Sequence, residues 1–399
     1  SDFGNETNYV GGGASICTDS DCVINLTLGS RPADGFNLYE NKVLNIIKFL
    51  TDAGANINCL NNAGLSTLYL SMKALNAYAS NKLLATYPIS LEDYMNMTDQ
   101  AGIHLMTYSL MDYNLLKLML DKGFNVNTTN ANKSAPSLLQ QALSNTLFDA
   151  SKILLESGAN VKYLDNQGHN CWHHLVHHRS SNQNEVAKLA KLLLQYNNEI
   201  NCQDSAGATP FYTACLEGNV LTVIELKNLG ADINIPNKGG FHPIYGAVHN
   251  GHMAIVAELL KWGVNINYQS QDGFTPLYYS VICKQDSDIK IVNFLLDHKA
   301  NPQIPNNLGH YPLHGAIHNC RLDIVKLLIE KNADINSYSD EKQVVTPLYY
   351  SMGYGRQKIS LEIFDYLLAK GANPNIPVFD GDTVMHMAGY HARMDLLKK

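Results

Sequence analysis

Charge is scarce in this chain of 399 residues. Asp, Glu, Lys and Arg together supply 16% of it, and 29 basic against 36 acidic residues leave a net charge of −7. So few charges beside 45% hydrophobic residues exclude a disordered polyelectrolyte. Lys and Arg are scattered, with no basic stripe at a recurring position, which excludes nucleic acid as a partner. Long hydrophobic runs are missing as well. Asp, Lys or Asn breaks every apolar stretch short of the roughly 18 residues that a membrane span needs. No intact secretory signal opens the chain, and its first residue is Ser rather than Met, so the natural N-terminus is expected to lie elsewhere or to have been removed. The eight cysteines form no Cys-x-x-Cys pair and no regular framework, so reduced thiols and a cytoplasmic location are expected. There is no Gly-x-x-x-x-Gly-Lys-Ser/Thr loop, no His-Glu-x-x-His and no Gly-x-Ser-x-Gly, and no enzyme is expected.

What the chain does have is repetition. One phrase runs Gly207-Ala-Thr-Pro-Phe-Tyr-Thr-Ala214, Gly240-Phe-His-Pro-Ile-Tyr-Gly-Ala247, Gly273-Phe-Thr-Pro-Leu-Tyr-Tyr-Ser280 and Gly309-His-Tyr-Pro-Leu-His-Gly-Ala316. Its glycines are 33, 33 and 36 residues apart. Weaker copies begin at Gly64, Gly102, Gly168 and Gly381, and Thr346-Pro347-Leu348-Tyr349 lacks the Gly. A second phrase follows, as in Leu50-Thr-Asp-Ala-Gly-Ala-Asn-Ile-Asn58 and Leu226-Lys-Asn-Leu-Gly-Ala-Asp-Ile-Asn234. Division by about 150 residues per domain would suggest two or three domains, but a periodic chain grows without adding separate cores.

Each phrase has a physical reading. Thr209 caps a short helix that starts at Pro210, where a missing N–H costs nothing. Small residues such as Ala214 and Ala247 let that helix approach its partner. A second helix carries its apolar stripe at Ile255, Val256, Leu259 and Leu260, and ends at Gly263 in the left-handed conformation. Such a helix pair cannot bury its own apolar faces, so neighbours must stack.

Thr-Pro-Leu-His/Tyr-x-Ala/Ser at about 33-residue spacing, followed by Leu-Leu-x-x-Gly-Ala-x-x-Asn, resembles the ankyrin repeat over roughly residues 36–399, most clearly over 202–375. The resemblance implies an all-α protein, an elongated curved α-solenoid of about ten helix-turn-helix repeats with projecting turns. Residues 1–35 then form an irregular segment or capping remnant, 36–161 degenerate repeats, and 162–399 regular repeats ending in a partial one. Residues 76–97 depart from the pattern, replacing the second-helix phrase with Asn-Ala-Tyr-Ala-Ser and Tyr87-Pro88. The chain stops at Met394-Asp-Leu-Leu-Lys-Lys399, where a second helix would begin, so the natural protein is expected to continue. The eroded, Asn- and Tyr-rich repeats also resemble ankyrin-repeat effectors that intracellular bacteria inject into eukaryotic cells, which implies secretion into a host cell.

Ankyrin-type proteins bind protein partners with turn tips and the exposed face of each first helix. The resemblance therefore implies a protein partner, with no cofactor and a monomeric chain. After the motif Gly stand Ala208, Phe241, Phe274, His310, Val345 and Asp382; at the exposed end of the first helix stand Leu216, His249, Ile282, His318 and Gly353, with Tyr354 nearby. An ordinary solvated surface would place charges there. Together with His177, the residues Leu216, Phe241, His249, Phe274, Ile282, His310, His318 and Tyr354 make the candidate partner site. The competing reading is that the rings pack on adjacent turns and stiffen the stack. Tyr212, Tyr245, Tyr278 and Tyr349 take the family's His position and are expected to be buried.

A second cluster is His169, His173, His174, His177 and His178. Spacing by four puts His173 and His177 on one helical face, as in a metal chelate. His173, however, like His314 and His386, occupies the motif His position, where a hydrogen bond within or between repeats is expected. No Cys or acid completes an obvious tetrahedral set, so no metal is expected. Cys17 and Cys22 permit a Cys–His nucleophile on paper, but a loop thiol is the expected role.

Overall fold

The computed structural model describes residues 14–15, 25–26, 45–58, 66–73, 77–87, 98, 103–128, 135–177, 183–197, 199–282, 289–338, 345–353, 360–378 and 381–390. They belong to two compact units, Ser1–Glu199 and Ile200–Lys399. Both are helical. Strand pairing among the described residues is limited to Ala14–Ser15 against Asn25–Leu26 and one bridge between Thr98 and His104.

In Ile200–Lys399 the first helices are Pro210–Glu217, Pro243–His249, Pro276–Ile282, Pro312–His318 and Pro347–Tyr350. Their second helices are Val220–Asn228, Met253–Lys261, Ile289–Asp297, Leu322–Glu330 and Leu361–Ala369, and the first helix Val384–Tyr390 follows. Each first helix packs on its own second helix and on the next first helix, so two helical layers run side by side. Pro opens five of the first helices, where its missing amide is harmless. Thr209, Thr275 and Thr346 accept the amides of Tyr212, Tyr278 and Tyr349 at 3.1, 3.1 and 3.3 Å. Ala214, Ala247 and Ala316 are fully buried, and the second helices bury Ile255, Val256 and Leu259, then Ile324, Val325 and Leu328. This is the helix-pair stack that the two phrases require.

The unit Ser1–Glu199 repeats the plan with poorer sequence. Helical residues 45–52 precede Thr67–Lys73 with Ala77–Thr86, a 3-10 turn Leu105–Ser109 with Tyr113–Asp121, Leu138–Ser144 with Phe148–Glu156, and Cys171–Val176 with Gln183–Tyr196. The stretch that lost its second-helix phrase is still a helix, because Leu83 and Leu84 keep an apolar face against the core.

Two polar ladders join one repeat to the next. In four repeats the residue at the motif His position reaches the carbonyl that follows the next repeat's Gly position. Tyr69 Oη donates to Ile103 O at 2.7 Å, Gln140 Nε2 to His169 O at 2.9 Å, and Tyr245 Oη lies 2.6 Å from Phe274 O. His314 Nε2 does the same to Val345 O at 2.8 Å. At the other ladder, the Oδ1 atoms of Asn127, Asn201, Asn267 and Asn336 accept the amides of Asn160, Asp232, Asn301 and Asn373. Of the four motif tyrosines, Tyr245, Tyr278 and Tyr349 are buried and Tyr212 is half-buried.

The turn tips also touch. Lys238 N donates to Ala206 O, Gln271 N to Gly239 O and Asn307 N to Asp272 O, all at 2.9 to 3.0 Å. Gly240 sits beneath one such contact with φ 74°, and a Cβ there would lie 2.7 Å from Gln271 N. Gly240→Ala is therefore expected to lose about 2–4 kcal/mol, from left-handed strain plus overpacking. Urea unfolding followed by circular dichroism checks this, and an unchanged midpoint would contradict the tip packing.

Burial holds His314 down at about 3, opposed by the Val345 carbonyl and reinforced by His310. The folded ring thus refuses a proton that the unfolded ring takes near pH 6.5. Its stabilisation is complete above that pH and is lost as pH falls from about 6.5 towards 3, by about 1.4 kcal/mol per pH unit. His314→Tyr, which copies Tyr245, is expected to fold at neutral pH and to flatten the stability–pH slope between pH 6 and 4 by about one proton. Denaturant titrations across that range read the slope directly, and equal slopes would refute the assignment.

Candidate functional site

The tip of each repeat is built before its side chains are displayed. The Oδ1 atoms of Asp204, Asn237 and Asn306 each accept two amides of their own turn, two and four residues on, at 2.8 to 3.1 Å. This fixed loop presents the residue after the Gly. Ala208 is small and buried, Phe241, Phe274 and His310 are half-buried, and Val345 is fully buried. Three consecutive repeats thus show a ring at this place.

Those rings rest on neighbours. Phe241 lies 5.1 Å from Tyr245 and 5.2 Å from Tyr279, centroid to centroid. Phe274 lies 5.0 Å from Tyr278, and His310 lies 5.7 Å from His314 and 5.6 Å from Tyr350. At the end of the first helices, Leu216, His249 and Ile282 are half-buried and His318 is exposed. His249 Nδ1 is 3.2 Å from Tyr279 Oη, while the Leu216 carbonyl holds Asn250 Nδ2 at 2.7 Å and His252 Nε2 at 3.1 Å. Burial, followed by the neighbouring His318, lowers His310 below the ordinary histidine value. The row from Phe241 to His310 is therefore aromatic and uncharged near neutral pH.

Sequence reasoning missed Tyr279 and Tyr350. Each directly follows the motif Tyr and leans back on the previous repeat, Tyr279 on Phe241 and Tyr350 on His310. The doubled Tyr278-Tyr279 and Tyr349-Tyr350 was the available signal. Tyr354, His178, Cys17 and Cys22 lie outside the described residues. Cys171 and Cys215 are buried in first helices, which pushes Cys171 up to about 12 and Cys215 higher still, so neither thiol ionises as a nucleophile must.

The histidine cluster is arranged differently from the helical pair that the spacing suggests. His173 is fully buried and its Nδ1 is 2.8 Å from Asn170 Oδ1, while His177 is exposed at the helix end. The converging groups are Asp165, His169 and His174, whose nearest ligand atoms all lie within 4.8 Å of one another. Asp165 Oδ2 is 3.0 Å from His174 Nε2 and 3.4 Å from His169 Nδ1. An acid does join the cluster, because the turn folds Asp165 over the first helix, although three groups fall one short of a tetrahedral set. A groove of about 520 Å³ lies elsewhere, against the second helices, lined by Met253, Phe294, Asp297 and Leu327 among others.

The chain is 31% identical over 109 residues to an ankyrin repeat protein of Acanthamoeba polyphaga mimivirus, covering 27% of this chain and 14% of that protein. An ankyrin repeat protein of fowlpox virus is 40% identical over 79 residues, 19% of this chain and 23% of its own. A palmitoyltransferase of Lachancea kluyveri is 37% identical over 76 residues, 19% of this chain and 10% of its own. The chain thus spans less than a quarter of each of these three relatives. The family model for ankyrin repeats, in three copies, matches residues 176–270, 222–306, 247–339 and 283–378. Those matches together cover just over half of the chain, which belongs to the ankyrin-repeat family.

Proposed function

We propose that this chain is a non-enzymatic interaction scaffold, and that a protein partner docks on the turn tips and first helices of Ile200–Lys399. The observation that carries the reading is the uncharged ring row Phe241, Phe274 and His310, each ring half-buried and braced by a neighbouring aromatic. A braced ring has already lost its rotamer freedom, so a partner that covers it meets a smaller ordering cost. Bracing and binding are then two uses of the same contact, with Leu216, His249, Ile282 and His318 at the rim. The viral origin of two relatives supports a further step, that the partner is a host protein and the chain an effector acting inside a eukaryotic cell.

A second reading makes this chain the targeting arm of an enzyme whose catalytic domain lies outside it. The partial match to a palmitoyltransferase favours it, since the matched segment is a tenth of that protein. The length and domain content of the complete gene product separate the two.

Capture from eukaryotic lysate tests the site. The parent is compared with Phe241→Ala/Phe274→Ala/His310→Ala and with His318→Glu, each first shown to be folded by circular dichroism. Hot-spot rings contribute about 2 kcal/mol or more each, so the triple variant is expected to lose the partner. His318→Glu alters an exposed side chain and is expected to weaken capture without changing the melting temperature. Equal capture by all three would place the site elsewhere.

A further inference from the structure

The Gly168 repeat brings together three residues that face one another. Its turn begins with Asp165, as the Gly207 repeat begins with Asp204, where the Gly240 and Gly309 repeats have Asn237 and Asn306. Its tip residue is His169, as the Gly309 repeat has His310, where others have Ala208, Phe241 or Phe274. Its first helix carries His174 where the others carry Thr213, Gly246, Tyr279 or Gly315. The repeat architecture does not require this combination.

The geometry points to a binding site for one divalent transition-metal ion of the zinc class, with Asp165 Oδ2, His169 Nδ1 and His174 Nε2 as ligands. Bonds of about 2.05 Å in tetrahedral geometry put ligand atoms about 3.3 Å apart. Asp165 Oδ2 already stands 3.0 and 3.4 Å from the two imidazole nitrogens. The supporting contacts are those a ligand set needs. Asp165 Oδ1 is held by the amides of Gln167 and His169, both at 2.9 Å, which turns Oδ2 towards the rings. His174 Nδ1 is 3.1 Å from Ser144 Oγ, which orients Nε2 at the carboxylate. A carboxylate and two imidazoles suit zinc or its neighbours and suit magnesium or calcium poorly.

Burial and charge agree with that assignment. The side chains of Asp165 and His174 are only 6% and 9% exposed. Burial works against the Asp165 carboxylate, but the amides of His169 and Gln167 and the His174 ring outweigh it and hold it below the usual range. Burial also lowers His174, against the pull of Asp165. His177, exposed at the helix end, has its ring 5.3 Å from that of His169.

The test uses the full chain, stripped with a chelator and titrated with zinc alone by calorimetry, with cobalt absorption as an independent reading of coordination. Asp165→Asn and His169→Phe copy residues that the Gly240 repeat already tolerates, so both are expected to fold. The parent is expected to bind one equivalent and to give the intense visible bands of tetrahedral cobalt. Each variant should weaken binding by about 100-fold or more, and Ser144→Ala by about 10-fold. Absence of binding by the parent would overturn the site. So would binding by Asp165→Asn and His169→Phe as tight as the parent's, because the metal would then rest on other histidines among the fifteen.

Discussion

A hydrogen bond from one repeat to the next recurs along this structure. In four of the first helices the side chain at the third position reaches the carbonyl at the following tip. Tyr, Gln and His all make it, from Tyr69, Gln140, Tyr245 and His314. The chemistry of the donor varies while its target does not. The carbonyls of His169 and Phe274 also accept an amide of their own turn, from Asp165 and Ser270, so the side-chain bond takes a second lone pair. Tyr, Gln and His are all donors long enough to span the gap.

With tips held from within by Asp204, Asn237, Ser270 or Asn306, and some also from below by that bond, the residue after the Gly is presented on a fixed loop. Function then becomes a matter of what that residue is. In the Gly240, Gly273 and Gly309 repeats it is a ring, which yields an apolar, uncharged row suited to a protein partner. In the Gly168 repeat it is a histidine opposite a buried carboxylate and a second histidine, which yields a ligand set. One frame thus supports two chemistries by substitution at equivalent positions, the sense in which function is grafted on a fold.

Much of this was legible in the sequence. Pro at the first turn marks where the first helices of Ile200–Lys399 start, and Gly230, Gly263 and Gly371 mark where three second helices end, while Lys299 and Asn332 take the left-handed place after the other two. Ala77–Thr86 was less legible, since its phrase is gone and only the spacing of Leu83 and Leu84 survives. The rings at the tips were named from the sequence, with packing on adjacent turns as the competing reading, but the partners Tyr279 and Tyr350 were not. Tyr279 touches Phe241 from the next repeat, 38 residues on, and such a contact leaves no local periodicity. The acid of the histidine cluster was missed for a different reason. Helical spacing drew attention to His173 and His177, whereas the turn, not the helix, carries Asp165 and His169 towards His174.

The central claim is that the tip face of Ile200–Lys399 is where a partner sits. It is tested most directly by a photo-crosslinking amino acid placed in the full chain at position 318 on a first helix, and separately at 330 on a second helix. Both positions are exposed, so each reports the surface around it. The account predicts a specific crosslinked protein from position 318 that position 330 does not yield. The same protein captured from 330 and not from 318 would contradict it.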